Sequence, residues 1–200
     1  MRLVLDWDGT VTERDTLVAV ILRFGDKAVF DRLDGEIGRT RTQHEVIAAE
    51  VDTLDATLDE MTRYLLETVG VRPGFRELAE RYRPTIVSAG FHELIEPLLA
   101  REGIELVVHA NRLEPTAAGW RAVSSDTRPC LVCGEACKRA AMLDGGQPVT
   151  FVGDGISDQC AALGADRVFA RDNLARWLDE QGAAYEPWVD FDELAHTMAG

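Results

Sequence analysis

The sequence is short of positive charge. Its 200 residues include 21 lysines and arginines against 35 aspartates and glutamates, which gives a formal net charge of −14. A protein that binds the phosphate backbone of a nucleic acid needs a cationic face, so this composition excludes that class. A small phosphorylated ligand is still allowed, because a bound metal ion can reverse the sign of the local charge.

Long apolar runs are also missing. No stretch approaches the length of a bilayer crossing, and Asp6 and Asp8 interrupt the segment that a signal peptide would need. We therefore expect no membrane partner. Cysteine is scarce, and the four positions are Cys130, Cys133, Cys137 and Cys160. Without an export signal, we interpret these residues as reduced thiols of a cytoplasmic protein.

The sequence does contain short apolar runs that alternate with helical patterns. Strands are predicted over 2–7, 85–88, 104–109, 149–152 and 167–170. Helices are predicted over 74–82, 92–101, 135–143 and 158–163. This alternation is typical of an α/β, Rossmann-like core, in which helices flank a parallel sheet and ligands bind at the carboxyl ends of the strands.

The region 14–73 differs from the rest, because it has apolar residues at helical spacing and no convincing strand. Thr42 and Glu45 form a capping box that begins one of its helices. We therefore predict a small all-helical cap over 14–73, inserted after the first strand. Residues 1–13 and 74–200 would form the catalytic core.

Three predicted strand ends carry polar groups that packing does not require. Their sequences are Asp6-Trp7-Asp8-Gly9-Thr10, Ser88-Ala89-Gly90 and Gly153-Asp154-Gly155-Ile156-Ser157-Asp158. Lys138 lies on a predicted helix between the last two. Each element alone has an ordinary explanation, such as a solvated turn, a helix cap or a surface lysine. Together they indicate one site.

Phosphoryl transfer to a carboxylate fits these residue types. Asp6 would attack phosphorus, and Asp8 would act as the general acid and base. Mg²⁺ prefers a few hard oxygen ligands, which Asp6, Asp154 and the Asp8 carbonyl would supply, with Asp158 holding a water or ligating directly.

The same chemistry needs groups that hold the phosphate. Ser88 would donate a hydrogen bond to it, and Lys138 would neutralise its charge. Glycines at the strand ends let backbone N–H groups approach closely. The remaining phosphate-binding positions are Gly9, Thr10, Ala89 and Gly90.

The four motifs, in this order and with these separations, resemble the haloacid dehalogenase-like superfamily of phosphatases. The resemblance covers the whole core and implies the roles given above for the nucleophile, the acid/base and the phosphate ligands. It also implies magnesium on Asp6, Asp8 and Asp154, assisted by Asp158. The helical insertion resembles the cap of the phosphoserine phosphatase-like branch.

Two finer resemblances concern the substrate. The segment 130–138 is similar to cysteine-rich loops that precede the motif lysine in the enediol-phosphate phosphatase of methionine salvage and in the phosphocholine/phosphoethanolamine phosphatase. The segment 166–172 is also similar to the first. The implied substrate is a small phosphorylated metabolite of one of these kinds, with phosphoserine as the alternative. Asp15 matches a substrate-binding position that is glutamate in phosphoserine phosphatases, which disfavours phosphoserine.

Other interpretations stay open at this point. Cys130, Cys133 and Cys137 are either thiols packed under a loop or ligands of a structural zinc ion, whose fourth ligand would be Cys160 or a histidine. Paired Cys-x₂-Cys sequences are absent, which favours packing. A non-catalytic phospholigand-binding or receiver-like module would also place an aspartate beside magnesium and a lysine, but receiver domains lack a large helical insertion. We expect a monomer or a homodimer.

Overall fold

The computed structural model describes residues 1–37, 39–146 and 148–199. Its strands form one seven-stranded sheet in the order β4-β3-β2-β1-β5-β6-β7. The strands are β1 (Arg2–Leu5), β2 (Thr85–Phe91), β3 (Val107–Thr116), β4 (Gly119–Val123), β5 (Val149–Gly153), β6 (Arg167–Ala170) and β7 (Glu186–Pro187). All neighbouring pairs are parallel except β3 and β4. The α/β expectation is therefore confirmed.

The centre of the sheet is a topological switch point. β1 is flanked by β2 on one side and β5 on the other, and Leu5 lies opposite both Ile86 and Val152. This register brings the carboxyl ends of all three strands to the same edge. In open parallel sheets, that crevice is where ligands bind.

Helices cover both faces of the sheet. The ten in the described residues are α1 (Thr16–Phe24), α2 (Lys27–Leu33), α3 (Gln43–Val51), α4 (Leu58–Thr68), α5 (Phe75–Tyr82), α6 (His92–Glu102), α7 (Lys138–Leu143), α8 (Gln159–Ala162), α9 (Asp172–Gln181) and α10 (Phe191–Ala199). One hydrophobic cluster joins the sheet to α7, α8 and α9 through residues such as Met142, Ala161 and Leu174. A larger cluster joins it to α1, α5, α6 and α10. None of these helices has the length and apolar character that a bilayer crossing requires.

The chain between β1 and α5 is helical, in agreement with the sequence pattern. Thr42 and Glu45 make the expected reciprocal capping box at the start of α3, and Thr57 and Glu60 make a second one at the start of α4. α1 contributes Ile21 to the same hydrophobic cluster that contains the sheet residue Leu5. The inserted helices therefore pack on the core through α1, while their function as a cap stays a prediction.

Two predicted elements are displaced. The strand expected at 104–109 lies at 107–116, where it continues into a hairpin with β4 and has exposed residues at half of its positions. The helix expected from 135 begins only at Lys138, because the Cys130 N–H donates to the Glu135 carbonyl, 2.9 Å away, and closes a loop there. The sequence also predicts a hairpin over 111–124 that turns at Ala118-Gly119, and the second half of β3 forms this hairpin with β4.

The C-terminal residues, for which the sequence predicted no role, pack near the segment that follows β1. Trp188 and Phe191 stack with ring centroids 5.2 Å apart, and Phe191 lies 5.5 Å from Phe75. Phe75 in turn meets Trp7 edge to face, and Trp7 is fully buried between the two aspartates of the first motif.

Candidate active site

Three acidic side chains meet at the carboxyl ends of the central strands. Asp6 follows β1, Asp154 follows β5, and Asp158 lies in the turn before α8. Carboxylate oxygens of these three residues, here called the carboxylate cluster, all lie within 4.8 Å of one another. The sequence-predicted convergence of the first and last motifs is thus present in the fold.

Among the residues that the structure describes, Lys138 is the cation in direct contact with this cluster. Its Nζ donates to Asp6 Oδ1 at 2.5 Å and to Asp158 Oδ1 at 2.8 Å. Burial opposes the charge of this side chain, but Asp158 and Asp6 outweigh burial and raise the pKa of Lys138. One ammonium group therefore faces three carboxylates.

The cluster carries more negative charge than its protein partners neutralise. Burial, and next the charge of Asp158, raise the pKa of Asp6 well above its usual range. The same two causes raise the pKa of Asp154 to about 6. Such shifts indicate that the ionised forms need a further cation. A set of hard carboxylate oxygens suits Mg²⁺.

Asp158 also organises the turn around it. Its Oδ2 accepts hydrogen bonds from the backbone N–H groups of Asp154 and Gly155, at 3.0 and 2.9 Å, while Oδ1 accepts from Lys138. Both oxygens are thus engaged within the protein. This arrangement supports a positioning role for Asp158 more than direct ligation of an ion.

Asp8 lies outside the carboxylate cluster. Its Oδ1 accepts two short hydrogen bonds from Thr16, 2.7 Å from the backbone N–H and 2.6 Å from the hydroxyl. Burial and the charge of Asp15 raise the pKa of Asp8 to about 7, against the opposing effect of the Thr16 hydrogen bonds. A carboxyl group with this pKa exchanges a proton near neutral pH, which suits a general acid and base.

Gly9 and Thr10 shape the turn after β1. The Thr10 hydroxyl donates to Asp154 Oδ1 at 2.7 Å and so joins the first motif to the last. Gly9 has a φ of 77°, and a Cβ at this position would lie 2.4 Å from Asp154 Oδ2. A side chain there would displace that carboxylate, so only glycine fits.

Ser88 and Gly90 form a second turn beside Asp8. The Gly90 N–H donates to Ser88 Oγ at 2.9 Å. A Cβ on Gly90 would come within 2.8 Å of Asp8 Oδ2. The pairing of β2 with β3 shifts register between Val87 and Phe91. Ser88 and Gly90 therefore lie within an irregular part of the strand.

Two residues that the sequence did not indicate donate hydrogen bonds to the backbone carbonyls of these turns. Arg72 donates from Nε to the Thr10 carbonyl at 3.0 Å and from Nη2 to the Gly9 carbonyl at 2.8 Å. Its guanidinium group also lies 5.6 Å from the ring centre of Trp188. Asn111 donates from Nδ2 to the Ala89 carbonyl at 2.7 Å. No local pattern marks either residue, because each contact joins segments far apart in the chain.

A cavity of about 260 Å³ opens over the motifs. Its floor includes Asp6, Asp8, Ser88 and Lys138, and its other side is lined by the inserted helices. The residues from the inserted region are Asp15, Leu17, Val18, Phe30, Ile37, Gln43, Ile47 and Glu50. Asp15 lines this cavity while its Oδ1 accepts from the Val18 N–H at 2.8 Å as the N-cap of α1.

A second cluster lies beside the first. The Sγ atoms of Cys130, Cys133, Cys137 and Cys160, here called the cysteine cluster, all lie within 4.8 Å of one another, and all four cysteines are unpaired by disulfides. Cys137 immediately precedes Lys138. The fold therefore brings Cys160, from α8, to the three cysteines of the loop.

Comparisons with known proteins give the family. The haloacid dehalogenase-like hydrolases match residues 3–163. A bifunctional enzyme MtnB/MtnX of Bacillus licheniformis is 29% identical over 98% of this chain, which spans only 48% of that enzyme. The 2-hydroxy-3-keto-5-methylthiopentenyl-1-phosphate phosphatase of Lysinibacillus sphaericus is 27% identical over 94% of this chain and 89% of its own length. The enzyme of the same name from Exiguobacterium sibiricum is 26% identical over 99% and 96%.

Solved structures agree on the fold. A substrate-bound phosphoserine phosphatase superposes with a TM-score of 0.73 at 16% identity and covers 98% of this chain and 97% of its own. A phospho-aspartyl intermediate analogue of phosphoserine phosphatase gives a TM-score of 0.68 at 17% identity, with 98% and 96% covered. The family match over residues 3–163 shows that the chain belongs to the haloacid dehalogenase-like hydrolases. Together with the relatives named as phosphatases, it identifies the chain as a phosphatase of that family.

Proposed function

We propose that this chain hydrolyses a small phosphomonoester with Mg²⁺, through a phospho-aspartate on Asp6. The observation that carries the proposal is the imbalance of charge at the sheet edge. Three carboxylates within 4.8 Å of one another face one contacting ammonium group. When bound, Mg²⁺ would be held by Asp6 and Asp154, with the Asp8 carbonyl and Asp158 assisting, and would neutralise the carboxylates and the phosphoryl oxygens.

The proposed first step forms a bond between an Asp6 carboxylate oxygen and phosphorus, and breaks the bond from phosphorus to the ester oxygen. Protonated Asp8 gives its proton to the departing oxygen. Lys138 and the Ser88 hydroxyl hold the phosphoryl group, and backbone N–H groups of the turns 9–10 and 89–90 approach it.

The second step returns Asp6 to its starting state. Ionised Asp8 takes a proton from a water molecule, the water oxygen bonds to phosphorus, and the acyl phosphate bond breaks to release inorganic phosphate. Asp8 is then protonated again. A pKa of about 7 for Asp8 supports both roles, because neither protonation state is strongly disfavoured at neutral pH.

The cavity lining favours a substrate with an apolar end. Leu17, Val18, Phe30, Ile37 and Ile47 face the space above the motifs. Lys138, on the motif side, is the basic residue among its described lining residues. The carboxylate of phosphoserine would have no cationic partner there. We therefore favour the 2-hydroxy-3-keto-5-methylthiopentenyl-1-phosphate that its relatives' names give.

Phosphocholine is the second candidate, and a different part of the lining favours it. Asp15 and Glu50 bring acidic groups to the cap side, and Phe30 adds an aromatic ring. A quaternary ammonium group is attracted by both kinds of side chain.

We include a cytoplasmic setting in the proposal, since unpaired thiols are typical of a reducing compartment.

The test measures the rate of inorganic phosphate release from a matched set of substrates in the presence of Mg²⁺. The set contains 2-hydroxy-3-keto-5-methylthiopentenyl-1-phosphate (the enediol phosphate), phosphocholine, phosphoethanolamine, phosphoserine and a sugar phosphate. We expect the largest kcat/KM for the enediol phosphate. A preference for phosphocholine would favour the second candidate. Magnesium-free buffer should stop turnover, and full activity without any divalent ion would contradict the mechanism. No hydrolysis of any compound would leave a phospholigand-binding role instead.

A further inference from the structure

The loop of residues 127–137 has little to hold it. It contains no helix or strand, and its apolar residues Leu131 and Val132 are exposed. The Gly134 N–H donates to the Cys130 carbonyl at 2.9 Å, in a tight turn where Gly134 has a φ of 78°. These local bonds fix the turn but do not attach it to the core.

Four sulfur atoms nevertheless converge at this loop. Three come from the loop itself and the fourth, from Cys160, belongs to α8. α7 and α8 are tied together by Arg139, which donates from Nη1 to the Cys160 carbonyl at 2.9 Å. This contact brings the Cys160 thiol to the loop cysteines.

Apolar packing does not explain the convergence. Cysteines that act as small apolar residues are usually buried. Here Cys133 is exposed and the other three are half-buried. Exposed neighbouring thiols without a ligand are open to oxidation.

From this arrangement we propose that the cysteine cluster is a structural zinc site. Four ligands at a Zn–S distance of about 2.3 Å form a tetrahedron whose sulfur atoms are about 3.8 Å apart. Sulfur atoms that already lie within 4.8 Å of one another reach that geometry with small side-chain movements. Thiolates are soft ligands that select zinc over magnesium. Four protein ligands leave no open position for substrate, so the ion is structural.

The loop prepares one of its sulfur atoms for this role. The Val132 N–H points at Cys130 Sγ from 3.4 Å. Such N–H groups stabilise a thiolate, and zinc binding would displace the thiol protons of all four cysteines into solvent.

The site would fix two neighbours of the reaction centre. Cys137 is joined directly to Lys138, whose Nζ contacts Asp6 and Asp158. His44 of α3 donates from Nε2 to the Ala136 carbonyl at 2.7 Å, so the loop also holds an inserted helix. Zinc would therefore be a positioning element for the cation and for the cap.

The experiment measures metal in protein purified without chelator from zinc-supplemented cells. We expect about one zinc ion per chain, retained in excess Mg²⁺. Cys133→Ser and Cys160→Ser, which alter the two different segments, should each lose most of it. Leu131→Ala, in the same loop, and Asp154→Asn, in the carboxylate cluster, should keep it.

A second measurement does not depend on the variants. In the native protein, thiol reagents should react slowly, and four thiols should become reactive once a chelator has removed the zinc. Cobalt put in place of zinc should show the intense visible absorption of a tetrahedral thiolate site. Wild-type protein that holds no zinc and gives no such cobalt spectrum, or that holds iron instead, would overturn the proposal. Phosphatase activity enters none of these measurements, so the two proposals fail separately.

Discussion

The carboxylate cluster and the cysteine cluster are built in opposite ways. In the carboxylate cluster, Asp6 and Asp158 are buried, and the ends of central strands and backbone hydrogen bonds hold the carboxylates. The cysteine cluster is half-exposed and lies mostly on a loop with few bonds to the core. The difference teaches that strand ends and backbone hydrogen bonds position the carboxylates, whereas the proposed zinc ion would have to order the loop of the second cluster.

This contrast separates activity from stability. Removing a charge from the carboxylate cluster should affect turnover strongly and folding little, because like charges there already repel. Removing a ligand from the cysteine cluster should loosen a loop. The predictions below use that separation, beginning with the largest expected effect.

Asp6→Asn should lower kcat by at least about 10⁴-fold, because the nucleophile is lost. The thermal unfolding temperature should not fall, since one of three mutually repelling carboxylates is removed. Phosphate release and calorimetry measure the two effects. Asp59→Asn, on the exposed face of α4, is the control and should retain activity. Activity of Asp6→Asn within tenfold of wild type would show that another group attacks phosphorus.

Lys138→Met should lower kcat/KM by about 100-fold, because a cation that holds the phosphoryl group is lost. It should also lower the free energy of unfolding by about 3 kcal/mol, since Asp6 and Asp158 would keep buried charges without their partner. Denaturant unfolding measures the second effect.

Lys27→Met is the matched control for that change. Lys27 pairs with Asp31 at 2.6 Å, a distance close to those of Lys138, but both side chains are more than half exposed. We expect about 0.5 kcal/mol or less for this exposed pair. Equal changes for the two lysines would contradict the idea that the first site is a buried, pre-organised one.

Cys160→Ser should speed amide hydrogen exchange of residues 130–137 by about tenfold or more, because the proposed zinc ion would lose the ligand that joins the loop to α8. Amides of β1 and β5 should exchange as in wild type. Mass spectrometry of exchanged peptides measures both, with Leu131→Ala as the control that keeps all four thiols. If the loop of Cys160→Ser exchanges as slowly as that of the control, the loop does not depend on its sulfur atoms.

Thr16→Val should lower kcat by about tenfold, because it removes the 2.6 Å hydroxyl bond that orients Asp8. Thr16→Ser keeps the hydroxyl and should restore most of the rate. Steady-state kinetics with a saturating substrate measures the difference. Identical rates for the two variants would mean that the backbone N–H of Thr16 is sufficient to orient Asp8.

The parts of the molecule that were predictable from sequence are those with a local signal. Apolar runs that end in Asp6 and Gly153 marked β1 and β5, and the Thr42 capping box marked α3. Ser88 and Lys138 were predicted as phosphate ligands because the chemistry needs a donor and a cation and because the family resemblance places them at these positions. The signals for β1, β5 and α3 lie within a few residues along the chain.

What could not be predicted depends on tertiary contacts. The hydrogen bond from Arg72 to Thr10 joins residues 62 positions apart in the chain, and that from Asn111 to Ala89 joins residues 22 positions apart. The distance from Cys160 to the loop cysteines follows from the packing of α8, so the sequence left a fourth ligand undecided. The sequence divided β3 between a strand at 104–109 and a hairpin over 111–124, whereas the fold makes one continuous strand of 107–116.

The contact between Arg72 and Trp188 has a practical consequence for anyone who modifies the protein. Arg72 holds the turn that follows Asp6, and the indole of Trp188 from the C-terminal region lies against its guanidinium group. Trimming the chain before Trp188, or fusing a bulky partner to α10, would disturb the reaction centre without touching it. The hairpin tip between β3 and β4, at residues 117–118, is exposed and is the better point for attaching a label.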